Sequence, residues 1–126
     1  SILDMDYHKL PAPAGVTDLV AFEKNAMDKI GLISEIWPRY RTTYFAHIFD
    51  GGYAAGYYVY LWAAVLDADA FDYFRQSGDI FNKDLAASFR KNCLSECGND
   101  EGMIQYKKFR GQEPSLEALL KKRGLK

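Results

Sequence analysis

The chain has 126 residues, 48% hydrophobic and 15% aromatic, enough for the modest core of one domain over residues 1–126 and too apolar for disorder. A formal net charge of −1 and a pI near 6.1 give no electrostatic ground for nucleic acid as a partner, and no Lys/Arg run could line a phosphate backbone. No stretch has the length and freedom from charge of a membrane-spanning helix, and the start carries no signal-peptide pattern, so neither a membrane nor a secretory route is expected.

In chain order the pattern predicts helices joined by short loops. Residues 1–16 read as irregular, with Pro11 and Pro13 breaking any period. The opening SILDMDYHKL has no initiating methionine, which reads as a processed or excised segment. Thr17 or Asp18 can cap a helix whose apolar positions Leu19, Phe22, Ala26 and Ile30 recur at helical spacing, with Gly31 as its stop. Leu32 to Trp37 reads as a short turn or helix ended by Pro38, and PRYRTTYFAHIF is too mixed for a strand. The longest helix is expected from Ala54 to Gln76, and its stretch from Tyr57 to Leu66 is apolar all round, so burial on nearly every side follows. Either the other helices wrap it closely, or some of its surface meets material outside this chain.

Asn82 can cap the next helix, with Leu85, Phe89 and Cys93 or Leu94 inward and Gly98 at its end. A short helix through Met103, Ile104 and Phe109 stops at Gly111. Pro114 suits the first position of a last helix, with Leu116, Leu119 and Leu120 inward and Lys121, Lys122 and Arg123 in its final turn. The fold class is all-α.

Known chemical motifs are scarce. His8 and His47 are the two histidines, and HExxH, GxSxG, CxxC and a phosphate-binding glycine loop are all missing. Cys93 and Cys97 lie four apart, a spacing that fits neither a redox pair nor half a zinc site, so they read as reduced cytoplasmic thiols. Asp67, Asp69 and Asp72 do not share one helical face, and they read as solvation of a helix leaving the core. Arg39 and Arg41 have two readings, recognition of a free carboxylate or helix-surface ion pairing.

The feature left over is HIFDGGYAAGYYVYLW, residues 47–62, which gathers Tyr53, Tyr57, Tyr58 and Tyr60 around Gly51, Gly52 and Gly56. Glycines give the backbone freedom, and each tyrosine brings an apolar ring with one hydroxyl that needs a partner when buried. Together with PRYRTTYFA ahead, LDADAF behind, and FRGQEPSLEALLKKRGL near the end, the block resembles the thimet oligopeptidase and peptidyl-dipeptidase family of zinc metallopeptidases. Within it the chain is most similar to the bacterial peptidyl-dipeptidases, or dipeptidyl carboxypeptidases. The closing segment is similar to the family's FRGREPSxxALLxxxGL, and the resemblance covers almost the whole chain.

The resemblance implies a C-terminal segment of a longer cytoplasmic peptidase. In that family zinc is held by two histidines of an HExxH helix and a downstream glutamate, while the first glutamate is the general base. That machinery would lie upstream of Ser1, so this chain by itself is expected to bind no zinc and hydrolyse nothing. It would supply the far wall of the active-site channel, as a compact multi-helix lobe of a zincin-like peptidase with a Gly/Tyr loop before its longest helix. His47 matches the family's histidine ahead of the loop, Tyr53 the loop tyrosine, and Tyr57 and Tyr60 the later ones. The oxyanion that develops at an attacked carbonyl needs donors besides the metal, a role for Tyr60 first, with His47 touching the substrate backbone or transition state. Gly51 and Gly52 would let Tyr53 and His47 close over a peptide. Tyr58 and Trp62 read as packing. Ala46 and Val59 stand where some oligopeptidases carry extra glycines, which implies a less mobile loop.

The expected partners are short peptide substrates and the remainder of the parent chain, with self-association through exposed apolar surface around the tyrosines. The alternative is a stand-alone helical module that binds small peptides or another partner without catalysis.

Overall fold

The computed structural model describes residues 1–11 and 15–126; Pro13 lies outside them. Among the described residues the chain is all helical, as expected, with no strand. The helices are α1 (Ile2–His8), α2 (Leu19–Asp28), α3 (Ala46–Phe49), α4 (Val59–Gln76), α5 (Lys83–Phe89), α6 (Gly102–Arg110) and α7 (Glu117–Lys122). A single 3-10 turn, Thr42–Tyr44, leads into α3, and Arg90–Leu94 continues α5 with π-helical spacing. Two compact units divide the chain, Ser1–Tyr60 and Leu61–Lys126.

In the first unit, the segment expected to be irregular opens with α1. Leu3 and Tyr7 lie four apart, so both face the core formed by Leu3, Ala26, Phe45 and Ile48. Tyr7 stacks on Phe22 of α2 at 4.3 Å between ring centroids. Asp18 caps α2 by accepting the Ala21 amide at 2.9 Å. The helix ends at Asp28, three residues before Gly31, which takes φ +70° in the turn beyond. Of the four apolar positions assigned to its inner face, Ala26 is buried and Phe22 half-buried, while Leu19 and Ile30 are exposed. Residues 32–37 form a turn, closed by the Ile36 amide on the Ile33 carbonyl.

The longest helix starts five residues later than the apolar pattern predicts. Ala55 stands at φ +52°, in the left-handed region, and successive turns close from the Gly56 amide to Tyr53 and from the Val59 amide to Gly56. A helix cannot pass through a left-handed residue. The expected all-round burial of its first half is also absent. Val59, Tyr60, Leu61 and Trp62 are 41–50% exposed, and burial begins at Val65 and Ala68, which pack with Leu119 of α7.

In the second unit, Asn82 caps α5 by accepting the Asp84 and Leu85 amides. Gly111 ends α6 in the left-handed conformation, and its amide reaches the Lys107 carbonyl. Phe109 gathers Tyr73, Phe74, Phe89 and Tyr106 at centroid distances of 5.1–6.1 Å. Of Cys93 or Leu94, it is Cys93 that turns inward, half-buried, while Leu94 is exposed; Leu116, expected inside, is exposed as well. Helix α7 begins at Glu117, three residues past Pro114, with Lys121 and Lys122 in its last turn as expected.

Asp69 departs from the solvated role read for the three aspartates. It is 2% exposed and accepts from the Tyr106 hydroxyl at 2.5 Å, Arg110 Nε at 3.1 Å and the Ser115 amide at 3.2 Å. Three donors let this carboxylate stay buried, where an unpaired one could not. Its charge and Asp69's hydrogen bond, after burial itself, push the Tyr106 phenol far above its ordinary range. Tyr106 therefore stays a donor.

Candidate functional site

The glycine-tyrosine segment is built on α3. The amides of Asp50 and Gly51 converge on the Ala46 carbonyl at 2.7 and 2.8 Å, and the Tyr53 amide donates to the His47 carbonyl at 3.0 Å. The two glycines serve different needs. Gly52 stands at φ +77° with open space around it, whereas a Cβ on Gly51 would lie 2.8 Å from the His47 Cα. Close approach to His47 therefore requires glycine at 51, and a left-handed turn favours it at 52.

Beyond Tyr53, the chain is held by a residue that motif reasoning missed. Asp4 is fully buried, and its carboxylate accepts the Ala55 amide at 2.8 Å on Oδ1 and the Tyr57 amide at 3.0 Å on Oδ2. His8 Nδ1 lies 2.9 Å from Oδ1 and 2.8 Å from the Asp4 carbonyl oxygen. Left-handed backbone at an alanine costs about 1–2 kcal/mol. Hydrogen bonds to a charged acceptor contribute about 1.5–3 kcal/mol each, so the pair offsets that strain.

These constraints gather the predicted side chains. Ring centroids of His47 lie 5.8 Å from Tyr53 and 5.6 Å from Tyr57, and Tyr60 lies 5.5 Å from Tyr53 and 5.0 Å from Tyr57. Tyr57 and Tyr60 do not share a helical face, since α4 begins between them, yet their rings meet. Tyr40 joins the group, 5.4 Å from His47 and 6.1 Å from Tyr57, while stacked on Phe45. It was legible only as part of PRYRTTYFA. His47, Tyr53 and Tyr57 are half-buried, and Tyr60 and Tyr58 are about half exposed.

Tyr57 and Tyr60 share one electrostatic tendency. Burial first, then the neighbouring Tyr40, raises Tyr57 above its ordinary range. Hydrogen bonding with Tyr53 comes first for Tyr60, followed by burial and the other phenols, and the direction is the same. A phenolate is disfavoured beside other phenols, which keeps Tyr57 and Tyr60 protonated and able to donate.

The two arginines separate. Arg41 donates through Nε to Glu23, which also accepts the Thr42 amide and hydroxyl, and it lies over Trp37 at 4.5 Å. Tyr7 completes that group with its hydroxyl 2.7 Å from Thr42 Oγ1. Arg39 has no carboxylate partner among the described residues and lies 5.6 Å from the Tyr40 ring centre. It borders a cavity of about 280 Å³ walled by Leu3, Tyr40, Phe45 and Tyr57. Among the described residues no three His, Cys, Asp or Glu side chains converge as a metal site requires.

The sequence matches the pattern of Peptidase family M3 over residues 1–125. The chain belongs to peptidase family M3. Oligopeptidase A of Escherichia coli strain K12 is 53% identical over 93 residues, covering 74% of this chain and 13% of that protein. Dipeptidyl carboxypeptidase of the same strain is 39% identical over 127 residues, covering 99% and 18%. Probable cytosolic oligopeptidase A of Arabidopsis thaliana is 37% identical over 126 residues, covering 98% and 18%. This M3 chain thus spans less than a fifth of the length of these relatives. Both the oligopeptidase A and the dipeptidyl carboxypeptidase lines resemble it. No helix among the described residues is long and apolar enough to cross a membrane.

Proposed function

We propose that this chain is the C-terminal, substrate-facing segment of a zinc metallopeptidase that releases dipeptides from the C-termini of short peptides. The observation that carries the proposal is the convergence of His47, Tyr53, Tyr57 and Tyr60 within 5.0–6.5 Å on a glycine-bounded turn. Tyr60 is assigned to the carbonyl oxygen. It is the most exposed ring of the four, and a phenol held protonated can donate to a developing oxyanion. His47 is assigned to the substrate backbone, with Tyr53 and Tyr57 lining the peptide. Gly51 and Gly52 form the turn that brings His47 and Tyr53 to it.

Arg39 is assigned to the terminal carboxylate, because Arg41 is engaged by Glu23. Zinc and its ligands belong, on this reading, to the remainder of the parent chain. That remainder also accounts for the exposed Tyr58, Val59, Leu61 and Trp62, and the chain on its own is inactive and self-associates through them. The cytoplasm is the proposed compartment, in keeping with the free thiols of Cys93 and Cys97 and with the cytosolic Arabidopsis relative.

The test uses the full-length enzyme and a blocked peptide with a free or an amidated C-terminus. Dipeptide release should require the free carboxylate, and cleavage of both forms would favour a general oligopeptidase. Tyr60→Phe should lower kcat about a hundredfold, with zinc content and melting temperature unchanged. Unchanged turnover would remove Tyr60 from the chemistry.

A further inference from the structure

We propose that Asp4 is a positioning residue for the tyrosine site, acting through the backbone of Ala55 and Tyr57. This rests on the assignment of Tyr57 and Tyr60 to the substrate. Asp4 stands 51 and 53 residues from the amides it accepts, so the contact is a tertiary one that no local motif supplies.

The arrangement is that of an anion site in which the anion is the protein's own. Amides two residues apart, bracketing a left-handed residue, point into one concavity, as backbone nests do toward phosphate or carboxylate. Here the Asp4 carboxylate fills it, fully buried, with one oxygen for each amide and His8 Nδ1 at 2.9 Å from the first. Ala55 could relax to an ordinary backbone if the carboxylate were lost, because no glycine fixes that position and its φ of +52° is disfavoured for alanine. Relaxation would rotate the peptide planes leading into Tyr57 and the first turn of α4. Tyr57 lies 5.0 Å from Tyr60 and 5.6 Å from His47, so turning its backbone moves the centre of the cluster. Helix α1 supplies Asp4 and His8, the Ser1 ammonium just ahead of it also interacts with the carboxylate, and the 53–59 turns supply the amides.

Asp4→Asn in the full-length enzyme tests this. Asparagine keeps the shape but presents an amide hydrogen to one of the two N–H groups, leaving one without an acceptor. Hydrogen exchange over residues 53–60, followed by mass spectrometry, should accelerate about ten- to hundredfold, as loss of a charged hydrogen bond implies. Turnover should fall about tenfold with KM within about twofold, because positioning of transition-state donors is lost while peptide contacts remain. In the Asp4→Asn/Tyr60→Phe double variant, adding Asp4→Asn to Tyr60→Phe should lower turnover by less than about a further twofold, since Asp4 acts through the tyrosine.

Unchanged exchange over 53–60 overturns the anchor. Losses that multiply in the double variant overturn positioning in favour of a general contribution to folding. If Tyr60→Phe is itself without effect, the functional assignment of Tyr60 fails, and the exchange measurement still decides whether Asp4 holds the turn. Should Asp4→Asn not accumulate as folded enzyme, Ala55→Gly is added. Glycine takes the left-handed conformation freely, so folding should recover, and the same exchange and turnover measurements apply to the pair.

Discussion

Replacing Gly51 by alanine separates two explanations of the double glycine. A Cβ there would meet the His47 Cα at 2.8 Å, its carbonyl oxygen at 3.1 Å and its carbonyl carbon at 3.3 Å. These are backbone atoms and cannot swing aside as a side chain would. To reach the edge of ordinary contact, α3 must retreat by about 0.6 Å, carrying the imidazole with it. Overpacking of this kind costs about 1–3 kcal/mol. A 1 Å error in the placement of reacting groups can cost about a hundredfold in rate, so turnover should fall about tenfold or more. Gly52→Ala is the control: nothing lies within 4 Å of its Cβ, and the penalty is the left-handed backbone alone, about 1–2 kcal/mol. Urea unfolding should therefore show similar losses for the two variants, while dipeptide release by the full-length enzyme should suffer more from Gly51→Ala. Equal turnover in the two, or the reverse order, would refute the steric argument and return both glycines to simple turn formation.

In the second unit, Asp69→Asn should lower unfolding free energy by about 3 kcal/mol, because Arg110, only 10% exposed, loses its partner. Urea midpoints check this, and a loss below about 1 kcal/mol would count Asp69 as dispensable. Glu23 supplies a pH-dependent term. Burial opposes its ionisation, but hydrogen bonds from Thr42 and Arg41 and the Arg41 charge outweigh it and hold the carboxyl below its ordinary range. A depressed carboxylate contributes stability above its unfolded pKa and loses it as pH falls through the folded one. Wild type should therefore exceed Glu23→Gln near neutrality and converge on it below about pH 4.5; a gap that persists in acid would show packing, not charge, at work.

How much could be read in advance depends on the range of the interaction. Asp18, Asn82 and Gly111 are caps or stops that act within three or four residues, and each does what its type and place suggest. The tyrosine group was legible because its members crowd into fourteen residues, and folding had only to bend one loop. Asp4 was not, since its partners lie more than fifty residues away and Pro11 and Pro13 made its neighbourhood look irregular. Asp69 failed for a similar reason: the donors that keep it buried come from α6 and from the approach to α7. The start of α4 failed because an alanine at φ +52° contradicts its own helix propensity, a tertiary override that composition does not reveal.

The stitching around α3 has a mechanical consequence. Asp50 and Gly51 share one carbonyl, and Tyr53 is tied to the backbone of His47 itself. The imidazole and the first phenol thus belong to a single stiff tile whose glycines sit inside the weave and not at its border. A site assembled in this way swings as a door instead of closing as separate fingers. His47 and Tyr53 should then report one shared relaxation time, with the flexing assigned to residues on either side of the tile.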